Sequence, residues 1–299
     1  MRPIVLHEVG PRDGLQMEKQ VVPTERKESW VRSLMESGVD IIQVGSFVHP
    51  EKVPQMADTD EIFRRLTAEE HPGVVLSGLV LNEKGLDRGL KCGVEMFCMG
   101  ASASETHSRK NTGMGTEEAT QRIIGAAKTA LGAGKKVQLS VQSAFGCGFE
   151  GTIPEERVLG MVRAYLEAGI RNISLADTAG HADPGQVERL FGEIFRMTPD
   201  VECACHFHNT YGLGMANIYT AMRMGVGSFE TSFAGLGGCP FTKVAAGNVA
   251  TEDLVHALQR QGLRTKVDLG RLIEVARDVA SFFGRDMQGF VYKTGPIAR

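Results

Sequence analysis

Two histidines one residue apart, His206 and His208 in the run HFHN, carry the first chemical signal of the chain. On a β-strand alternate side chains share a face, so the two imidazoles project together and can grip one cation while Phe207 turns into the packing. Asp13, in GPRDGLQ, offers a carboxylate oxygen, and Asn248 can add an amide oxygen. Such a mixed set suits an octahedral, exchangeable Mg2+ or Mn2+ better than a closed zinc site, and it leaves positions open for substrate oxygens. Further on, Gly235, Gly237 and Gly238 let the backbone fold tightly around Cys239, and Pro240 stiffens the exit. A loop built in this way presents a thiol to a cleft.

Each of these residues has a plainer reading when taken singly. An aspartate in a Gly-Pro turn is more often a cap, a strand histidine is usually a satisfied core residue, and a lone cysteine is a small buried hydrophobe. That last reading applies to Cys92, Cys98, Cys203 and Cys205, while Met215, Met222, Met224 and Trp30 follow helical spacing and read as packing. Arg109 and Lys110 could meet phosphates or form a solvated basic loop. The argument for a site therefore rests on convergence, which depends on the elements that hold these residues.

Eight short apolar runs, near residues 4–9, 41–46, 74–80, 95–101, 136–143, 172–178, 201–208 and 228–234, alternate with amphipathic stretches such as 24–37, 116–132, 155–168, 184–196 and 212–224. Repeated βα units of this number predict an α/β fold closed as a TIM (β/α)8 barrel, with further helices after residue 248. Pro23, Pro154 and Pro184 mark helix starts, and Gly38, Gly169 and Gly225 mark ends. No linker or low-complexity segment divides the chain, so 1–299 reads as one catalytic domain. In such barrels the C-terminal strand ends carry the chemistry. Strand one ends in GPRDGLQ, strand six in LADTAG and strand seven in HFHN, and the loop after strand eight carries GLGGCP.

A hydrophobic content of 42% with 23% charged residues is that of a globular protein with a sizeable core. A formal charge of −3 argues against nucleic acid or an anionic membrane as partner, and no stretch is long enough to span a bilayer. Six cysteines without a C-x-x-C pair, in a chain this size, read as reduced thiols in the cytoplasm.

The motifs EVGPRDGLQ at 8–16, SFVHPEKVPQMAD at 46–58, SLADTAG at 174–180, HFHNTYG at 206–212 and the AGLGGCPF segment running on to ATEDLV at 250–255 resemble the 3-hydroxy-3-methylglutaryl-CoA lyase family. That family is a branch of the metallolyase barrels related to isopropylmalate and homocitrate synthases. The resemblance implies a divalent cation, an acyl-CoA substrate, a homodimer, and retro-Claisen cleavage of a 3-hydroxyacyl-CoA, in the founding case to acetoacetate and acetyl-CoA. It implies Asp13, His206, His208 and Asn248 as metal ligands, Arg12 as the cation facing the thioester oxygen and Cys239 as the loop acid/base. Asp177 enters as a further polar catalytic group, and Ser46, Ser174 and Thr178 match the substrate-carboxylate pocket. An aldolase or Claisen-type synthase on the same scaffold, or a non-catalytic metal- or CoA-binding relative, would share these features.

The chain departs from the family pattern on strand two, where Gln43 in IIQVGS stands at the place of a pocket glutamate. Glutamine keeps the shape but cannot take a proton, so Gln43 is expected to tune which acyl-CoA is used. Asn209 stands where an aspartate often follows the second histidine, and the stretch 101–111 also differs.

Overall fold

Eight parallel strands close on themselves in chain order, each paired with its sequence neighbour and the last with the first. The computed structural model describes residues 2–238 and 247–297. The strands are β1 (Val5–Glu8), β2 (Ile41–Ser46), β3 (Val75–Leu79), β4 (Met96–Ser102), β5 (Lys136–Gln142), β6 (Asn172–Asp177), β7 (Glu202–Phe207) and β8 (Ser228–Thr231). Around them run α1 (Thr24–Ser37), α2 (Thr59–Leu66), α3 (Glu83–Lys91), α4 (Glu105–Thr112), α5 (Thr116–Gly132), α6 (Glu155–Glu167), α7 (Pro184–Met197) and α8 (Gly214–Met224). Three helices follow the barrel: α9 (Thr251–Gln259), α10 (Leu269–Phe283) and α11 (Val291–Thr294). The eight expected runs and five expected helices are all present. The short α2, α3 and α4 are additions, eight or nine residues each, that a sparse apolar pattern had not announced.

Helix ends follow the local chemistry. Gly38, Gly225 and Gly284 close α1, α8 and α10 in left-handed backbone, where a side chain would be strained. Asp183 caps α7 by accepting from the amides of Gly185 and Gln186. The helices bury their apolar faces in one cluster that runs from Ile4 to Tyr292. Trp30 of α1 ties the C-terminal helices in: its ring lies 5.9 Å from Phe233 after β8 and 5.8 Å from Phe282 on α10, and its indole N–H donates to Asp278 at 2.6 Å.

Two register features matter for the site. His206 stands beside Glu230, and Glu230 beside His7, so these three share the inner layer of the barrel. In β2 the register shifts between Gln43 and Gly45, which returns Ser46 to the inner face opposite Leu79. Among the described residues no helix is long and apolar enough to cross a membrane.

Candidate metal and acyl-CoA site

The chain leaves β1 into one tight turn, Gly10–Gly14, in which the amides of Arg12, Asp13 and Gly14 all return to the Val9 carbonyl at 3.1, 2.7 and 3.4 Å. Glu8 accepts from the Gly10 amide at 2.7 Å and fixes its start. Glycine is required there, because a Cβ on Gly10 would lie 2.7 Å from that carboxylate and 2.8 Å from the Phe233 ring. The turn aims Arg12 and Asp13 at the mouth of the barrel, each with a side chain 11% exposed.

Asp13 meets both histidines of β7 and its following residue. His206 Nε2 and His208 Nε2 lie 3.0 Å apart, and Asp13 Oδ2 is 3.9 and 3.8 Å from them. A point equidistant from three atoms so placed lies about 2.1 Å from each, the length of a bond from Mg2+ or Zn2+ to oxygen or nitrogen. Two imidazole nitrogens facing each other at hydrogen-bond distance also need a proton or a cation between them. Asp13, His206 and His208 therefore form a buried cluster that can hold a metal ion.

Asn248 joins them through a backbone bridge to His208. Its amide N–H groups donate to Asp13 Oδ2 at 2.8 Å and to the Leu236 carbonyl at 2.9 Å, which leaves its buried Oδ1 without a partner. A buried amide oxygen with nothing to accept from is suited to a cation. Gly237, at φ +118°, makes room: a Cβ there would sit 2.5 Å from the Asn248 amide nitrogen.

Charges around the cluster are arranged for ionised ligands. Burial raises the Asp13 carboxyl, but the Arg12 guanidinium, 2.7 Å from its other oxygen, and the two histidines outweigh this and hold it well below its ordinary value. Burial opposes the charged form of His206, yet Glu230, 3.1 Å from Nδ1, raises it overall. Burial pushes His208 the other way. Glu230 itself, despite burial, is pulled down to about 2, mainly by His206. A carboxylate on the far nitrogen of a ligand histidine fixes its orientation and raises its basicity. Glu230 was not foreseen from sequence; the signal was its in-register place beside His206.

The other expected residues divide. Gln43 lies at the site, its amide oxygen accepting from Arg12 Nε, and both line a cavity of about 520 Å3 over the barrel mouth. Thr178 lines the same cavity, its hydroxyl accepting from the Ser143 amide at 2.9 Å. Ser46 is buried on the inner face with its hydroxyl unpartnered. Ser174 sits beneath the cavity lining and donates to Glu230, which lines it, at 2.9 Å. Asp177 lies just outside this lining. Strand alternation turns it away from the cavity that Ala176 and Thr178 line, and its carboxylate accepts from the amides of His181 and Ala182 at 2.7 and 3.1 Å. Burial pushes that carboxyl up to about 7, and its two bonds shape the loop after β6.

Cys239 and Pro240 lie outside the described residues, as does the segment to 246. Asn209 accepts from the Gly214 amide at 3.0 Å and so holds the start of α8. Arg109 pairs with Glu105 at 2.6 Å and Lys110 lies over the Phe149 ring, and neither lines the cavity. Gln16, which donates to Asp13 at 3.2 Å, and Gln138 on β5 are cavity residues that the sequence had not singled out.

Known proteins match most of the chain. The HMGL-like family model matches residues 3–279. The hydroxymethylglutaryl-CoA lyase YngG of Bacillus subtilis is 37% identical over 95% of this chain and 94% of its own length. A 3-hydroxy-3-isohexenylglutaryl-CoA/hydroxymethylglutaryl-CoA lyase of Pseudomonas aeruginosa is 36% identical over 94% and 93%. Among solved structures, an HMG-CoA lyase from Acinetobacter baumannii in complex with coenzyme A and 3-methylmalate superposes with a TM-score of 0.93 at 36% identity, covering 99% of this chain and 96% of that one. Barrel, acid-and-imidazole cluster and relatives agree, and the chain belongs to the HMGL-like family.

Proposed function

We propose that this protein is a divalent-cation-dependent carbon-carbon lyase that splits a 3-hydroxyacyl-CoA by retro-Claisen cleavage, with 3-hydroxy-3-methylglutaryl-CoA or a close analogue as substrate. The observation that carries the reading is the buried Asp13, His206 and His208 cluster at the mouth of a cavity with Arg12 beside it. The relatives named as lyases of this substrate, and the coenzyme A complex of one of them, support the acyl-CoA assignment.

A cation held by Asp13, His206, His208 and Asn248 would lower the pKa of the substrate's 3-hydroxyl. The all-oxygen-and-nitrogen donor set favours Mg2+ or Mn2+. As the hydroxyl proton passes to Cys239 acting first as base, the C2–C3 bond breaks, the hydroxyl oxygen becomes a ketone, and the electron pair passes to the thioester as an enolate. The Arg12 guanidinium stands beside the ligand set, so it stabilises that developing oxyanion. Gln43 accepts from Arg12 Nε and holds the guanidinium in place while adding no charge. Cys239, in the glycine-rich sequence that follows β8, then protonates C2 to release acetyl-CoA.

We further propose a single catalytic domain over 1–299, working as a homodimer in the cytoplasm. The five described cysteines are all free, which supports a reducing compartment. The test is turnover of 3-hydroxyacyl-CoA thioesters by protein reconstituted with Mg2+ or Mn2+, with acetyl-CoA read by mass spectrometry. Cys239→Ser should lower kcat by about 100-fold with metal binding unchanged. Full activity in that variant would remove the thiol from proton transfer.

A further inference from the structure

The floor of the cavity holds polar groups where barrel interiors usually carry bulky branched side chains. Gln43 on β2, Cys98 on β4 and Gln138 on β5 are all buried, and all three line the cavity with Arg12. Two amides and a thiol at this depth cost folding energy unless they bond to one another, so the order of their bonds is informative.

The order starts at Arg12. Its Nη1 donates to Asp13 at 2.7 Å and its Nε donates to Gln43 Oε1, so bonds to two of its nitrogens fix the plane of the guanidinium. With its oxygen committed to Arg12, Gln43 has only N–H groups left to offer, and it donates to the Cys98 sulfur. Cys98 is the Cα partner of Gln138 across β4 and β5, and its thiol donates to Gln138 Oε1 at 3.6 Å. The thiol keeps the proton that this bond needs. Burial pushes it up to about 12 and the charge of Glu230 adds to the rise, while Gln43, Arg12 and Ser77 offset only part of it. Every bond therefore runs in one sense, from the guanidinium through Gln43 to the sulfur and on to Gln138. Turning Gln43 over would set its Nε2 against Arg12 Nε, donor against donor, so a sulfur that accepts is what lets Gln43 face the arginine with its oxygen.

We propose that Cys98 is a positioning residue for the cleavage step: through Gln43 it holds the Arg12 guanidinium in the plane from which Arg12 meets the thioester oxygen. This rests on the lyase reading above, in which Arg12 stabilises the enolate. Cys98 acts only through Gln43, and the bonds made and broken are those already given. A guanidinium tilted out of that plane still attracts the bound thioester but serves the enolate less well, so loss of the thiol lowers kcat more than it raises KM.

Two variants of opposite character separate positioning from packing. Cys98→Val keeps the bulk and deletes both bonds of the sulfur, whereas Cys98→Ser keeps a donor and an acceptor and gives up bulk. With the full chain, Mg2+ and 3-hydroxy-3-methylglutaryl-CoA, Cys98→Val should lose about tenfold in kcat with KM changed by less than about threefold. Cys98→Ser should stay within about threefold of the parent in both. A residue that only packs would give the reverse order, since valine suits a dry site and serine does not. In a Gln43→Leu background, where Arg12 has already lost its acceptor, Cys98→Val should cost less than about twofold further. Circular dichroism and Mn2+ titration, both expected to match the parent, show that a lower kcat is not a lost fold or a lost metal. If Cys98→Val does not fold, Cys98→Ala, which also deletes both bonds, carries the same expected loss. Parental kcat in the valine variant, a serine variant slower than the valine one, or a tenfold loss that persists in the Gln43→Leu background overturns the inference and leaves the lyase reading standing. Absence of cleavage by the parent protein removes both.

Discussion

Glu230 and Glu8 are buried carboxyl groups on adjacent strands, one on each face of the same sheet, and their surroundings shift them in opposite directions. Glu230, on the inner face, has His206 at 3.1 Å and is pulled down to about 2. Glu8, on the outer face, meets only neutral donors: the amides of Gly10 and Phe233 at 2.7 and 3.0 Å and the Thr251 hydroxyl at 2.6 Å. Burial outweighs those bonds and pushes it up to about 7. Glu252, beside it, is also raised by burial, while holding the amide of Ala234, a residue strained at φ +56°. Inside the barrel, then, ionised carboxylates serve a cation site. Outside it, carboxyls serve as acceptors that pin the β1 and β8 loops, and charge is a burden to them.

The largest break in this contrast comes from the inner face. His206→Ala removes one of the four proposed ligands and leaves Glu230 buried without its partner, so activity should fall by about 1000-fold or more and metal affinity with it. Circular dichroism should show the barrel intact, and metal titration decides the point. Retention of parental affinity would refute the ligand set.

Glu230→Gln sharpens the comparison with a smaller effect. The shape and the bond to Ser174 can persist, but the charge that orients and enriches His206 is lost. Loss of such an outer partner typically lowers metal affinity or turnover by about 10- to 100-fold. Calorimetric titration with Mn2+ and kcat at saturating metal would separate the two. An unchanged affinity would mean that Glu230 merely fills the inner layer beneath the cavity.

These contrasts also explain what the sequence could show. Strand order, the barrel and the clustering of Asp13, His206, His208 and Asn248 were legible because apolar runs and a His-x-His pair are local patterns. Gln43 was legible as a departure from the family glutamate, although its bond to Arg12 was not. Glu230 was not legible, since a lone carboxylate in SFETSF looks like a surface residue until the register places it against His206. The depth of Ser174 beneath the cavity and the turn of Asp177 away from it were not legible, since both depend on strand alternation around the barrel.

The smallest effect tests the outer face. Glu8 binds a proton more tightly folded, with a pKa of about 7, than unfolded, with the ordinary value of 4.5. Its neutral form is the one the fold favours, so its contribution is complete below 4.5 and is lost as pH rises through about 7. Asp177, raised to about 7, and Glu252 act with the same sign, while His7, lowered by burial to about 4, acts against them as pH falls below 6.5. Glu8→Gln keeps an acceptor for the Gly10 and Phe233 amides and can turn its new N–H toward the Thr251 hydroxyl. Its unfolding midpoint should therefore depend less on pH between 5 and 8 than that of the parent, with the variant gaining a few degrees at about pH 8 and little at about pH 5. Parallel pH profiles for variant and parent would show that Glu8 is ionised in the fold, and the contrast between the two faces of the sheet would fail.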